Sequence, residues 1–485
     1  MKLINSIIND DFFRLFIITS LVCGLEFCTA SAFTYIPPLL LKAGISESLM
    51  TWLMGCGPLL GFLLCPVIGH ASDRCRSRFG KRRPFIVGFC LTIILCLILI
   101  PQSEAIGEIM QAPKIGISLL AMTCVLFDFA AQACLNPCES LIYDTCKGTS
   151  QESSCFFVYS FMTSFGGCIG YLITATDWTE TFLGNYMQGQ EKLTFIIILL
   201  LFSITLCCTL ISANEKNSSF NDYSDEQILL IDTHIWIYLS PIKILKNIFS
   251  TISNSVRTII TMPFVLRRLT LAECCSWSAI MTFNIFFTDF VGQTIYMGDP
   301  NADELSEERL KYDQGIRIGS YGLLFHCIVG AIYAPLLKPL IKKFGIHLTF
   351  SFGMLVFALS MLVMYISRNI IIVNIMASLS GLGMASLTSI PYTLVMTYHA
   401  NREIYFADNQ RIQTYGIGTI LGILDSTYFA SQILSSIIMG YIMLIFKSSL
   451  SYIVTSFILA ICSICFINRI VTNRHQLQEL IRSGK

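Results

Sequence analysis

The sequence predicts an all-α integral membrane protein of twelve spans arranged as two six-helix halves. Composition, the number of long apolar runs and a basic loop that recurs once per half predict it. Of the 485 residues, 54% are hydrophobic and 13% charged, about half the roughly 25% charge of a soluble globular chain. A water-soluble domain of this size does not leave so few charges for its surface. The net charge of +1 gives no sign of nucleic acid or another polyanion as a partner.

Crossing a roughly 30 Å hydrocarbon core takes about 20 apolar residues. Twelve stretches have that length: 12–36, 48–70, 84–101, 115–139, 154–176, 193–212, 268–290, 316–337, 347–366, 370–395, 420–445 and 449–467. The first is too long, and has the wrong C-terminal flank, for a cleaved signal peptide, so it reads as an uncleaved signal anchor. Between spans 2 and 3 lies the densest basic cluster, Arg74, Arg76, Arg78, Lys81, Arg82 and Arg83. A weaker echo, Lys338, Lys342 and Lys343, lies between spans 8 and 9. Each loop ends in Phe-Gly, at Arg78-Phe79-Gly80 and at Lys343-Phe344-Gly345. Halves at 1–212 and 268–485, joined by a linker at 213–267, make the plan of the major facilitator transporters, whose halves are themselves repeats. The linker opens polar from Asn214 to Asp225, then turns apolar through Ile228–Leu239. That run contains Asp232 and His234 and is too short to span; with Trp236, Tyr238, Lys243 and Lys246 it reads as a helix on the membrane surface. The sequon Asn217-Ser218-Ser219 in the linker is expected to stay unmodified on the cytoplasmic side.

Orientation follows from Lys and Arg placement. With both termini inside, eight of the 32 fall outside (Lys42, Lys114, Lys192, Arg309, Lys311, Arg317, Arg368 and Lys447) and the other 24 inside. The termini, the linker and the 396–419 loop are therefore expected in the cytoplasm. The plasma membrane is the expected location, with a vesicular membrane as the alternative. Nearly all cysteines lie inside apolar runs, where cysteine behaves as a small hydrophobe. Cys134 and Cys138 are one turn apart, but no histidine lies nearby to complete a metal set. No metal and no cofactor is expected, protons being the coupling ion, and the chain is expected to act as a monomer among membrane lipids.

Ionisable residues inside spans are costly, and each is a functional candidate. Span 4 carries Asp128, Gln132, Asn136 and Glu139, which share one face at about 100° per residue. Span 7 carries Glu273, Trp277 and Asn284; span 11 carries Asp425, Gln432 and Ser436; span 1 carries Glu26, Thr29 and Phe33. Stripes on several spans imply a shared hydrated cavity, and carboxylates, amides and an aromatic ring suit the hydroxyls and apolar face of a sugar. The other reading is interhelical hydrogen bonding that holds the bundle together. For Gln132, Asn136, Gln432 and Asn284 the two readings weigh equally. Asp128 differs, being a lone mid-span carboxylate with no basic neighbour in its own helix. Desolvation disfavours its charged form, which makes it the candidate proton carrier, with Glu26 and Glu273 next. Asp313 and Arg317 stand one turn apart at the start of span 8. A surface ion pair there is worth about 0.3–0.5 kcal/mol, but Arg317 enters the membrane, which points to a role at the substrate site.

The loop Gly69-His70-Ala71-Ser72-Asp73-Arg74-Cys75-Arg76-Ser77-Arg78-Phe79-Gly80-Lys81-Arg82-Arg83-Pro84 is the most specific motif in the chain. Headgroup anchoring accounts for its basic residues, but not for Asp73 at the buried end of span 2 or for the glycines. Gly69, Asp73, Arg78, Gly80, Arg82 and Arg83 read as a gate. Asp73 can accept hydrogen bonds from the N-terminus of a neighbouring span while facing Arg82 or Arg83. Asp425 is grouped with the gate.

These residues resemble the major facilitator cytoplasmic gate motif in the extended form S-D-R-C-x-S-R-x-G-R-R-R-P-F-I, typical of solute carrier family 45 and the plant sucrose transporters. Cys23–Cys28, the Asp128 segment, Thr288–Gly292 and Tyr312–Gly319 are similar to the same family, as are Tyr35–Leu41, Gly166–Leu172, Ala272–Trp277 and Ile423–Ser426. The resemblance covers most of the chain apart from the linker and tail. It implies a secondary active transporter that imports sugar with protons by alternating access, sucrose being the type substrate. It also implies that Asp128, Asp313 and Arg317 take part in proton and sugar coupling. The plant transporters rely in addition on an arginine associated with span 5, and 154–176 contains no Arg or Lys. The alternative on the same fold is a uniporter or an exporter of another small organic solute. An enzyme is not expected, since neither G-x-G-D nor H-E-x-x-H occurs. Nor does a two-half chain suggest the pore loop or charge ring of a channel.

Overall fold

The structure, a computed structural model, describes residues 11–45, 47–75, 77, 79–148, 154–176, 190–212, 262–299, 306–406, 416–446, 448–472 and 476. Among them are twelve helices long and apolar enough to cross a membrane. In the first half these are α1 (Asp11–Lys42), α2 (Glu47–Arg74), α3 (Arg83–Leu99), α4 (Pro113–Cys146), α5 (Cys155–Ala175) and α6 (Gln190–Ser212). The second half holds α7 (Phe264–Phe290), α8 (Glu307–Phe344), α9 (Ile346–Ile366), α10 (Ile370–Ala400), α11 (Ile417–Phe446) and α12 (Leu450–Ile467). In hydrocarbon a segment must satisfy its own backbone N–H and C=O groups, and a helix does this internally. The expected surface helix of the linker and Arg78 of the gate loop lie outside the described residues. The seventh span begins at Phe264, four residues ahead of the start expected at 268.

Local chemistry sets the ends. The Ser306 hydroxyl caps α8 by accepting from the Arg309 N–H at 3.2 Å, and Asn369 Oδ1 caps α10 by accepting from the Ile371 N–H at 2.9 Å. Pro84 sits in the first turn of α3, where its missing N–H has no acceptor to lose. The helix α8 starts at Glu307 and not near 316. Its first turns carry Glu307, Glu308, Arg309 and Lys311, so an apolar run alone could not reveal them.

The two halves are the same packing built twice. In the first half α1 packs on α4, α5 and α6, α2 on α4, and α3 on α4 and α6. In the second, α7 packs on α10, α11 and α12, α8 on α10, and α9 on α10 and α12. Each pair maps onto another by a shift of six helices. The junction between halves obeys the same operation: α2 against α11 mirrors α8 against α5, and α4 against α11 mirrors α10 against α5. The outward faces of α3, α6, α9 and α12 expose Leu91, Leu95, Leu200, Ile204, Leu355, Leu359 and Ile458. Apolar exposure on that scale suits lipid and not water. All 20 cysteines are free thiols.

Candidate functional site

Polar side chains gather in layers where the halves meet. The first layer forms at one end of the bundle, where the last turn of α2 meets the first turn of α11. Asp73 Oδ1 accepts from the Gly418 N–H at 3.1 Å, and Oδ2 accepts from the Thr419 N–H at 2.8 Å and the Thr419 hydroxyl at 2.7 Å. The first N–H groups of a helix have no internal acceptor and carry the positive end of its dipole. A carboxylate from another helix supplies both needs. Asp73 Oδ1 also accepts from Arg82 Nη2 at 2.6 Å. Arg82 is 2% exposed, and its fork is fully used: Nε donates to Asp144 Oδ2 at 3.0 Å and Nη1 to the Ser72 hydroxyl. Arg82 is thus the arginine facing Asp73, while Arg83 opens α3.

Gly69 and Gly80, expected in the gate, have separate reasons. A Cβ on Gly69 would run into the Gly418 carbonyl, so α2 and α11 approach this closely only with hydrogen at that position. Gly80 has φ +106°, a left-handed conformation that favours glycine, and its N–H donates to the Ser77 carbonyl at 3.1 Å.

A second layer lies next to the first. Asn136 Nδ2 donates to the Gly418 carbonyl at 3.2 Å and to Asp425 Oδ2 at 2.9 Å. The Tyr392 hydroxyl donates to Asp425 Oδ1 at 3.2 Å, and the Tyr159 hydroxyl to Glu139 Oε1 at 2.7 Å. Asn136, expected beside Gln132 to meet a sugar, is bonded to α11 in this structure. Its amide donors are committed to α11, one turn along α4 from Gln132, and hold the halves together. Asp425, grouped with the gate, is linked to it through Asn136 and Gly418.

The third layer holds Asp128 and Gln132. Gln132 Nε2 donates to Asp128 Oδ1, and the Asp128 carboxyl sits against Gly57 of α2. Thr29, Ala32 and Ile36 of α1 line the cavity beside it. A second cavity opens between the halves. Glu26, Thr163 and Tyr171 line it from the first half, and Asn284, His326 and Cys327 from the second. Asn284 Oδ1 and His326 Nε2 are buried there without hydrogen-bond partners among the described residues, while His326 Nδ1 pairs with the Ser380 hydroxyl at 2.7 Å. On the α7–α11 wall, Trp277 Nε1 donates to Glu273 Oε1 at 3.2 Å, and the Trp277 ring meets Tyr428 edge-on with centroids 4.8 Å apart. Gln432 Nε2 donates to the Tyr428 hydroxyl at 2.8 Å.

Asp313 lies on α8, its side chain outside the described set, and Arg317 one turn on is exposed. The stretches around them meet: the Tyr312 hydroxyl donates to Asp289 Oδ1 at 2.8 Å, and Gly315 packs on Gly292. Sequence reasoning missed His326, Tyr171 and Tyr428. His326 was within reach of the rule for ionisable residues inside spans; the tyrosines carried no such signal.

Residues 2–171 match the Major Facilitator Superfamily model. Over 402 residues the chain is 34% identical to solute carrier family 45 member 3 of Mus musculus, covering 81% of this chain and 71% of that protein. The chain belongs to solute carrier family 45. A more distant member of the family's set of relatives, proton-associated sugar transporter A of Homo sapiens, is 22% identical over 604 residues, covering 86% of this chain and 80% of that one. The crystal structure of the human organic anion transporter TETRAN matches with a TM-score of 0.57 at 15% identity, over 94% of this chain and 99% of that one. At that identity the likeness is one of fold. This family 45 protein is a multi-pass membrane transporter of the major facilitator fold and not an enzyme.

Proposed function

We propose that this family 45 protein is a proton-coupled sugar symporter of the plasma membrane, working by alternating access with both termini in the cytoplasm. The observation that carries the reading is Asp128: a buried carboxyl whose hydrogen-bond partner is a neutral amide, placed beside a cavity in the bundle. The name of proton-associated sugar transporter A supports the same chemistry for this chain. In this reading Asp128 carries the proton, and Gln132, Trp277 and Asn284 meet the sugar. Glu26 and Glu273 flank them, and Asp313 with Arg317 acts from α8. The halves 1–212 and 268–485 rock about the cavity, with 213–267 as tether. The positive-inside count puts the Asp73 layer on the cytoplasmic side, so the contact of Asp73 and Arg82 with α11 shuts that side, and each cycle breaks and remakes it.

Uptake of labelled sucrose and glucose into vesicles, with and without an inward proton gradient, tests the proposal. Accumulation above equilibrium that needs the gradient is the expected result. Equilibration at the same rate without it would leave the uniport reading, which the lack of Arg or Lys across 154–176 favours.

A further inference from the structure

Glu139 on α4 and Asp425 on α11 are brought together at the junction of the halves: Asn136, one turn before Glu139, donates to Asp425 Oδ2 at 2.9 Å, and Tyr159 and Tyr392, whose hydroxyls serve the two carboxyls, have ring centroids 5.8 Å apart. Both are buried, at 1% and 6% exposure. Donors around them are few and already assigned. Tyr159 serves Glu139 Oε1; Asn136 and the Cys65 thiol serve Asp425 Oδ2; Tyr392 serves Asp425 Oδ1. Glu139 Oε2 is left buried with no donor among the described residues. The other titratable groups facing the pair are Cys138 on α4 and Glu273 on α7, and neither is a cation. The Arg82 guanidinium is committed to Asp73, Asp144 and Ser72.

An ionised carboxylate only accepts hydrogen bonds. Two of them side by side in a buried site without a cation repel; one proton between them removes the repulsion and gives the orphaned oxygen its bond. We propose that Glu139 and Asp425 bind one proton between them, a second proton site distinct from Asp128, and that this proton pins α4 to α11 while the gate is shut. Glu139 lies eleven residues beyond Asp128, about 16 Å along the helix. Its link to the gate is short: Asn136 joins Asp425 to the Gly418 carbonyl, and the Gly418 N–H is held by Asp73. Loss of the proton leaves like charges facing each other across the junction and drives α11 off α4. The pinning role rests on the alternating-access reading above, since it needs this contact to break during transport; the proton site itself does not.

Infrared spectroscopy of the purified full-length protein at mildly alkaline pH tests it. The unsubstituted protein should show the carbonyl band of a protonated carboxyl that persists in Asp128→Asn. The band should be lost in Glu139→Gln and equally in Asp425→Asn, because either amide can donate to the remaining carboxylate. A spectrum of the unsubstituted protein without that band overturns the proposal before any variant is made. A band of full intensity in either variant overturns it too, so one well-folded variant is enough. The two readings fail separately. Uptake indifferent to a proton gradient would leave the band in place, and a missing band would leave proton-driven uptake through Asp128 standing.

Discussion

Asp73 and Thr419 are joined twice, one carboxylate oxygen accepting from both the backbone N–H and the hydroxyl of Thr419, at 2.8 and 2.7 Å. The last turn of α2 is thereby the N-cap of α11, a helix of the other half. A cap normally comes from the residue that begins the helix. Here it comes from 346 positions away in the chain, so helix satisfaction and closure of the bundle depend on the same atoms.

Asp73→Asn keeps an acceptor for α11 but removes the charge that holds Arg82. A hydrogen bond to a charged group contributes about 1.5–3 kcal/mol, so the closed state should lose roughly tenfold or more in population. Transport should fall several-fold while surface expression stays near that of the parent. Turnover measured per copy at the cell surface checks this. An unchanged rate would return the loop to a headgroup anchor.

Gly69→Ala tests the same closure by sterics alone. The added methyl meets the Gly418 carbonyl, backbone against backbone, with no flexible side chain to yield. We expect turnover to drop about tenfold, in line with a 1–3 kcal/mol overpacking penalty. Gly88→Ala on α3 opens onto empty space and should transport as the parent does. Equal rates for the two variants would mean that α2 and α11 need not approach this closely.

The fold and the contacts of Asp73 with Arg82 and the first turn of α11 were legible in the sequence because both are local signals. A run of about 20 apolar residues has one outcome in lipid, and charges stand out sharply against it, as Asp73 does at the end of α2. The interior polar stripes were legible only in part. The 100° spacing correctly groups Asp128, Gln132, Asn136 and Glu139 on one face, but α4 is long enough for that face to meet several neighbours. Asp128 meets α2, Glu139 meets α5, and Asn136 meets α11. Which neighbour waits at which depth depends on long-range packing, which no helical period records. The same holds for Tyr428, whose ring and hydroxyl bind Trp277 and Gln432 from a position that carries no charge to mark it.

Orientation is testable with single cysteines. Asn185→Cys and Asp303→Cys should react with an impermeant thiol reagent on intact cells, above the labelling of the parent. Phe220→Cys should react only after the cells are opened. The reverse pattern would invert the protein and place the Asp73 layer outside.

Coupling at Asp128 carries the functional claim. If this carboxyl takes the proton, it must be neutral when the loaded transporter reorients, because carrying an unpaired charge through a closed, dry site is costly. Sugar bound beside Gln132 would then strengthen proton binding at Asp128, and by reciprocity protonation would tighten sugar binding. Asp128→Asn fixes the neutral form and keeps both hydrogen-bonding positions toward Gln132. It should abolish gradient-driven accumulation while leaving exchange of sugar down its own gradient partly intact. Asp128→Ala should lose both activities, since it leaves the buried Gln132 amide without its partner as well as removing the proton site. Counterflow and uphill uptake measured side by side in vesicles separate the two variants. Accumulation that survives in the Asn variant would move the proton to Glu26 or Glu273, the remaining carboxyls beside the cavity and the Trp277 wall.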